Sequence, residues 1–481
     1  MHPHFSDAQN LQTDYLIIGS GAAGMAFADT LFHETEASLL IVDKHHSPGG
    51  HWCDAYPFVR LHQPSSYYGV NSRALGGDLR DAHRLNLGMT ERATSAELLA
   101  YYEAVMQKMV DSGRVKYLPM TEYLGATEGA AEGEKSHQFR ALLSGQTGRV
   151  RLHKKVVHSA FLSPNVPSTH VRKFTVDAAV PCFPLNDLPK LKTPPSCYVV
   201  VGAGKTGIDA VLWLLDNQAL PDQICWVMPR DSWFINRANV QAGNDFFIQS
   251  FSAMATQFEA VVQATSVADL FQRLESSAQL LRLDPNVEPS MYHAATVSQA
   301  ELTELRKVKN IVRMGRVQHI AATHIQLQKG KVPLPAGSVV VDCSASIESR
   351  GTVPVFQGDT IVPQFIQAHQ PTFSAALIAH VEANLPDTPG DEAKNLLCAA
   401  VPLPDTPITW LTMQAATMKN RYHWGKNKKI KAWMAQSRLD GFTKMMDAVE
   451  EHETEKIAIL ERLGAAIVPA VMKLQKLITP S

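Results

Sequence analysis

The residues whose types and spacing point most directly to chemistry are glycines. Gly19, Gly21 and Gly24 follow the apolar run Tyr15-Leu16-Ile17-Ile18 as G-x-G-x-x-G, with Ala22 and Ala23 opening the segment that comes after. In a strand, turn and helix, the first glycine allows a tight turn and the second lets the backbone approach a pyrophosphate. The third lets helix and strand pack closely, and the helix N-terminus supplies amide donors and partial positive charge. The next apolar run, Leu39 to Val42, ends on Asp43 and then Lys44. That is close to the offset of about 20 residues at which an acid reaches ribose hydroxyls. The combination reads as a dinucleotide cradle, the alternative being an ordinary glycine-rich turn.

The same device recurs at Tyr198-Val199-Val200-Val201, followed by Gly202, Gly204 and Gly207, with Lys205 and Thr206 at the start of a second helical run. Its next strand, Ile224 to Met228, ends at Pro229-Arg230 without a carboxylate. An arginine at that tip suits a 2′-phosphate, so the second nucleotide reads as NADPH rather than NADH. A plain surface arginine is the other reading of Arg230. Lys205, a flexible cation, is placed either on the phosphates or in solvent.

Other elements must position these cradles. Thr94 and Glu97 form a capping box before apolar residues at Leu98, Tyr101, Tyr102, Val105 and Met109, with Gly113 at the far end, which predicts an amphipathic scaffold helix. From Val115 to Phe161, strand runs broken at Gly129, Gly133, Gly145 and Gly148 predict an antiparallel meander. A proline-rich linker leads into the second cradle. Residues 238–309 read as a helical insertion, and Ser338 to Val341 as a strand that returns to close the first fold. A helix follows Pro371. Prolines at 386, 389, 402, 404 and 407 then break the chain before a helical tail.

The fold class expected is α/β, with two Rossmann-like dinucleotide-binding domains, an antiparallel meander and a helical C-terminal region. The boundaries expected are 1–165 and 336–385 for the first nucleotide domain, 166–335 for the second, and 386–481 for the helical region.

Composition narrows the partners. The chain has 481 residues, 19% of them charged, and a formal net charge of −1, so nothing in its balance points to nucleic acid or an anionic membrane. Four lysines and two tryptophans between His423 and Trp433 read as a solvated face rather than a nucleic-acid patch. The polar N-terminal segment does not resemble a secretory signal, and no run is long and apolar enough to span a bilayer, so a cytoplasmic location is expected. Six scattered cysteines without C-x-x-C predict neither a disulfide framework nor a metal site. The final amphipathic segment could pack internally or form a homo-oligomer.

Two cradles around a meander resemble the two-dinucleotide-binding-domain flavoproteins, and most closely the class B flavin monooxygenases. Gly49-Gly50-His51-Trp52 is similar to their G-G-x-W loop. Tyr56-Pro57 with Arg60 is similar to the Y-P-G-x-R stretch of the Baeyer-Villiger group, and Trp226 to Trp233 to their NADPH-phosphate segment. The resemblance covers about residues 14–345. Only His170 to Phe174 survives of the linker motif, and Cys343-Ser344-Ala345 replaces Ala-Thr-Gly.

The resemblance implies FAD at Gly19, Gly21, Ala22, Ala23, Gly24, Asp43, Lys44, Gly50, His51 and Trp52. It implies NADPH at Gly202, Gly204, Lys205, Thr206, Gly207 and Arg230. His62 and Gln63 are the catalytic candidates, because His62 falls where the family carries an asparagine or aspartate beside the reactive flavin edge; a structural histidine is the alternative. The activity implied is NADPH-dependent oxygenation of a small organic molecule by dioxygen through a flavin C4a-(hydro)peroxide. A two-electron oxidoreductase with an organic acceptor and a non-catalytic flavoprotein are the other readings.

Overall fold

The computed structural model describes residues 11–77, 79–128, 135–162, 164–345, 351–385 and 390–479. Two sheets with parallel centres organise it. In the first, the strand Leu11–Ile18 lies between Leu39–Val42 and Thr147–His158, pairing in parallel with both. Val115–Leu118 continues the sheet beyond Leu39–Val42. All four residues of Leu39–Val42 are buried. That is why the segment reads as an unbroken apolar run: a parallel strand covered on both faces has no polar side to show. The helix Ala22–Glu34 packs on one face beside Pro371–Asn384.

The meander is formed by Thr121–Glu128, Lys135–Ala141 and Thr147–His158, paired antiparallel. The turn at Gly129 and Gly133 lies outside the described residues. Ser95–Asp111 is a helix whose N-terminus carries the full Thr94–Glu97 capping box.

In the second sheet, Cys197–Val201 lies between Ile224–Val227 and Ser338–Asp342, with Ile311–Val312 and Cys182–Pro184 outside them. This corrects the expectation for Ser338 to Val341, which pair with Cys197 to Val200 and so complete the second fold instead of the first. A short, continuously apolar strand fits the centre of either parallel sheet, and its own residues carry no preference. The first sheet is extended instead by Thr360–Ile361, parallel to Val156 and Val157. The boundary at 336 therefore moves: the chain leaves the second sheet only after Asp342.

The insertion is also mixed rather than helical. It contains helices Phe247–Gln263, Val267–Ser276 and Gln299–Leu305, but Leu280–Leu281 and Met291–Val297 flank Ser232–Asn236 in a separate sheet.

Of the C-terminal region, Pro386 and Pro389 lie outside the described residues, and from Asp391 onward it is built of helices joined by irregular segments such as 398–406. Trp424 and Trp433 face inward and donate to the Leu397 carbonyl (2.7 Å) and to Glu34 Oε1 (2.8 Å). Those aromatics are structural anchors. The last helix, Thr454–Ile478, sets Ile459 and Leu463 against Phe247 and Phe251 of the insertion. Among the described residues, no helix is long and apolar enough to cross a membrane.

At both glycine turns the helix rests on backbone. A Cβ on Gly24 would lie 2.0 Å from the Gly19 carbonyl oxygen and 2.6 Å from Ser159 Oγ, which itself donates to the Ile18 and Gly19 carbonyls. A Cβ on Gly207 would lie 2.1 Å from the Gly202 carbonyl oxygen. Buried Trp226 donates its Nε1 to that carbonyl at 2.7 Å, holding the second turn from the neighbouring strand. Gly24→Ala must therefore push helix from strand, and urea unfolding is expected to show a loss of about 2–4 kcal/mol. An unchanged midpoint would mean that the contact is not as close as described.

Candidate functional site

The first cradle presents an uncapped helix start. Helix Ala22–Glu34 starts from Gly21 with no side-chain cap and no acid in its first turn, leaving its amides for an outside acceptor. Gly50 comes against Gly21, so the loop of the two glycines lies over the turn.

Asp43 is buried at the tip of its strand and accepts four donors: Ser20 N (2.5 Å), Ser20 Oγ (2.9 Å), and the His45 backbone N and Nδ1 (2.8 Å each). A carboxylate offers about four lone-pair sites. Ribose hydroxyls would have to replace the Ser20 hydroxyl or the imidazole as donors. His45 spans Asp43 and Asp54, with Nε2 2.8 Å from Asp54 Oδ2, and its bonds to these acids push its pKa up to about 9. His45 is thus protonated near neutrality.

The other expected contacts around this cradle separate. Lys44 turns outward to Glu122 (3.0 Å) and is not brought to the turn. Trp52 is buried and donates to the Tyr68 hydroxyl (3.0 Å). His51 packs on Trp52 with its pKa pushed by burial down to about 4, so its ring is neutral.

The second cradle is open. Nothing lies within 4 Å of the position a Cβ would take on Gly204, and helix Lys205–Asp216 starts there without a side-chain cap or an acid in its first turn. Lys205 pairs with Asp209 one turn on, and Tyr56 of the first fold donates to the same carboxylate (2.5 Å). Phe58 stacks on Trp213 of this helix at 5.1 Å. The loop after the first cradle therefore docks on the helix of the second.

His62 lies at this junction. Its pKa is pushed well below the usual value, first by burial and then by Lys205, Arg237, Arg92 and His369. A neutral imidazole in a cationic setting results. Arg237 donates to the His62 carbonyl (2.7 Å), the Thr296 carbonyl (2.6 Å) and Glu301 (3.0 Å). Among the described residues, Gln63 makes only a long side-chain contact, 3.5 Å, to the Tyr67 carbonyl. Nearby, His369 Nε2 and Gln370 Oε1 are buried without a partner among the described residues, at the uncapped start of helix Pro371–Asn384. Buried polar atoms left open in this way are available to a water or a ligand.

Arg230 is not free. Its guanidinium forms a two-pronged pair with Asp405, at 2.9 and 2.7 Å, and His293 Nε2 reaches the same carboxylate at 2.7 Å.

Arg92, Arg237, Asp209, His369 and Asp405 escape a reading by motif because they converge from distant segments. Only Asp209, four residues after Lys205, carries a local signal, the spacing of a helical ion pair.

A family model described as an NAD(P)-binding Rossmann-like domain matches residues 17–60. Uncharacterized proteins of Mycobacterium tuberculosis and Mycobacterium bovis are each 44% identical to this chain over 440 residues, spanning 91% of it and 79% of their own length. Among solved structures, a polycyclic ketone monooxygenase from the fungus Thermothelomyces thermophila shares the fold at 12% identity, with a TM-score of 0.53 over 95% of this chain and 89% of that one.

The His45 bridge has a pH signature. Because its pKa is raised from 6.5 to about 9 on folding, its stabilisation is complete below about 6.5 and is lost as pH rises through about 9. Thermal melts of the native chain should decline across that window by an amount equivalent to about 1–2 kcal/mol, and His45→Asn should flatten the decline. Parallel profiles for the two proteins would contradict the bridge.

Proposed function

We propose, for a chain that belongs to the family of these mycobacterial proteins, that it is an NADPH-dependent FAD monooxygenase acting on a small organic substrate. The observation that carries this reading is the pair of uncapped glycine turns on two parallel sheets, with the neutral His62 and three cations at the junction between them. The residues present fit both cofactors. The amides after Gly21 would hold the FAD pyrophosphate, and Asp43 its ribose, by exchange of the Ser20 or His45 donor. The amides after Gly204 and the ammonium of Lys205 would hold the NADPH pyrophosphate.

When bound, the flavin supplies the hydride acceptance and oxygen activation that side chains lack. The protein's share is positioning, desolvation and one proton. Arg237 fixes the backbone of His62 through its carbonyl. His62, kept neutral by burial and neighbouring positive charge, can donate from one ring nitrogen and accept at the other without first losing a proton. Tyr56 and Phe58 close the junction over the second helix and limit water access. Overall, substrate, dioxygen, NADPH and a proton give oxygenated substrate, NADP⁺ and water.

The test is coupling. FAD-loaded protein reduced anaerobically by NADPH is mixed with aerated buffer containing an amine, a sulfide or a ketone, and oxygenated product and hydrogen peroxide are both measured. Product matching NADPH consumed supports oxygenation, whereas peroxide alone with every substrate, and turnover with a quinone, would establish the two-electron oxidoreductase instead. In His62→Ala, the reduction rate should stay within about threefold while the share of NADPH ending as peroxide rises about fivefold or more. Unchanged coupling would remove His62 from the chemistry.

A further inference from the structure

We propose that Asp405 is a specificity-determining residue for the pyridine nucleotide: its carboxylate occupies the face of Arg230 that a 2′-phosphate would use, and so restrains the preference for NADPH over NADH. This rests on the reading of the second cradle as a pyridine nucleotide site.

In a parallel nucleotide-binding fold, the tip of the second strand meets the adenosine ribose, and the side chain there discriminates a 2′-hydroxyl from a 2′-phosphate. Arg230 follows Ile224–Val227, which pairs with the cradle strand Cys197–Val201, so it stands at that tip. Guanidinium recognises carboxylate and phosphate through the same planar fork. Here both prongs are taken, Nη1 by Asp405 Oδ2 at 2.9 Å and Nη2 by Asp405 Oδ1 at 2.7 Å.

Asp405 does not reach Arg230 by chance of a mobile side chain. Its backbone N donates to Thr409 Oγ1 (2.9 Å), and its carbonyl accepts from Tyr292 N (3.0 Å). Thr406 next to it caps helix Pro407–Lys426, and His293 Nε2 holds the carboxylate from a third side at 2.7 Å. Hydrogen bonds from Arg230 and His293 keep the acid well ionised, with a pKa near 2. The acid is thus presented, charged, from a fixed backbone.

The pair is also replaceable. The side chains of Arg230 and Asp405 are 36% and 52% exposed, and ion pairs as open as this hold weakly. A 2′-phosphate can take the fork, but it must displace a carboxylate that remains nearby and repels it. NADH asks for no displacement and leaves Arg230 paired. The internal acid therefore lowers affinity for the phosphorylated nucleotide alone.

Isothermal titration of FAD-loaded protein with NADP⁺ and with NAD⁺ tests this directly. The native chain should bind the two within about tenfold of each other, and Asp405→Asn should tighten NADP⁺ about tenfold while moving NAD⁺ less than about twofold. Asp405→Ser should give the same direction, and adding Arg230→Gln to Asp405→Asn should abolish the gain. If both nucleotides bind and neither Asp405 variant changes their ratio, the inference is overturned while the cofactor reading stands. If neither nucleotide binds the native chain or the variants, the reading of the second cradle fails and the inference with it.

Discussion

One buried guanidinium ties the first nucleotide fold to the insertion of the second. Arg237 is 5% exposed, and its two terminal nitrogens donate to the His62 carbonyl of the first fold and to Thr296 and Glu301 of the insertion. Glu301 in turn caps its own helix through Ser298 and accepts from Asn86 of the first fold. Removing one partner from such a buried pair typically costs about 3–5 kcal/mol, because the other charge is left uncompensated. The arrangement is therefore stiff, and it places His62 where burial first, and then Lys205, Arg237 and Arg92, hold its ring neutral.

Around that junction, the two cradles solve the same problem with different surroundings. Both need a helix lying directly on the preceding turn, and both meet the need with a glycine where any Cβ would strike a carbonyl. The first is enclosed: Gly50 lies on Gly21, and Asp43 is saturated by Ser20 and His45. The second is open over Gly204. An enclosed site suits a cofactor that stays bound through turnover, and an open one suits a nucleotide that enters and leaves.

What could be read in the sequence was whatever has local grammar. Strand, glycine turn and helix occur within ten residues of each other, and the capping box at Thr94 and Glu97 within four, so both were legible. Sheet membership of Ser338–Asp342 was not, because five buried residues in a row fit either sheet and the choice is made by neighbours about 140 residues away. Asp43 was recognisable as the strand-end acid, but its engagement by His45 and Ser20 depends on side-chain geometry. Arg230 had the right address, yet its partner Asp405 stands 175 positions later, among prolines that were legible only as breaks before the helical tail. The cations around His62 come from separate segments and leave no common signal.

The most direct test of the central claim, that these two folds bring a flavin and a nicotinamide together, is an anaerobic titration of the purified, FAD-loaded protein with NADPH while the oxidised flavin band is recorded. Stoichiometric bleaching of the band is the predicted result. A protein that retains FAD but is bleached by neither NADPH nor NADH, and only by dithionite, would contradict the account.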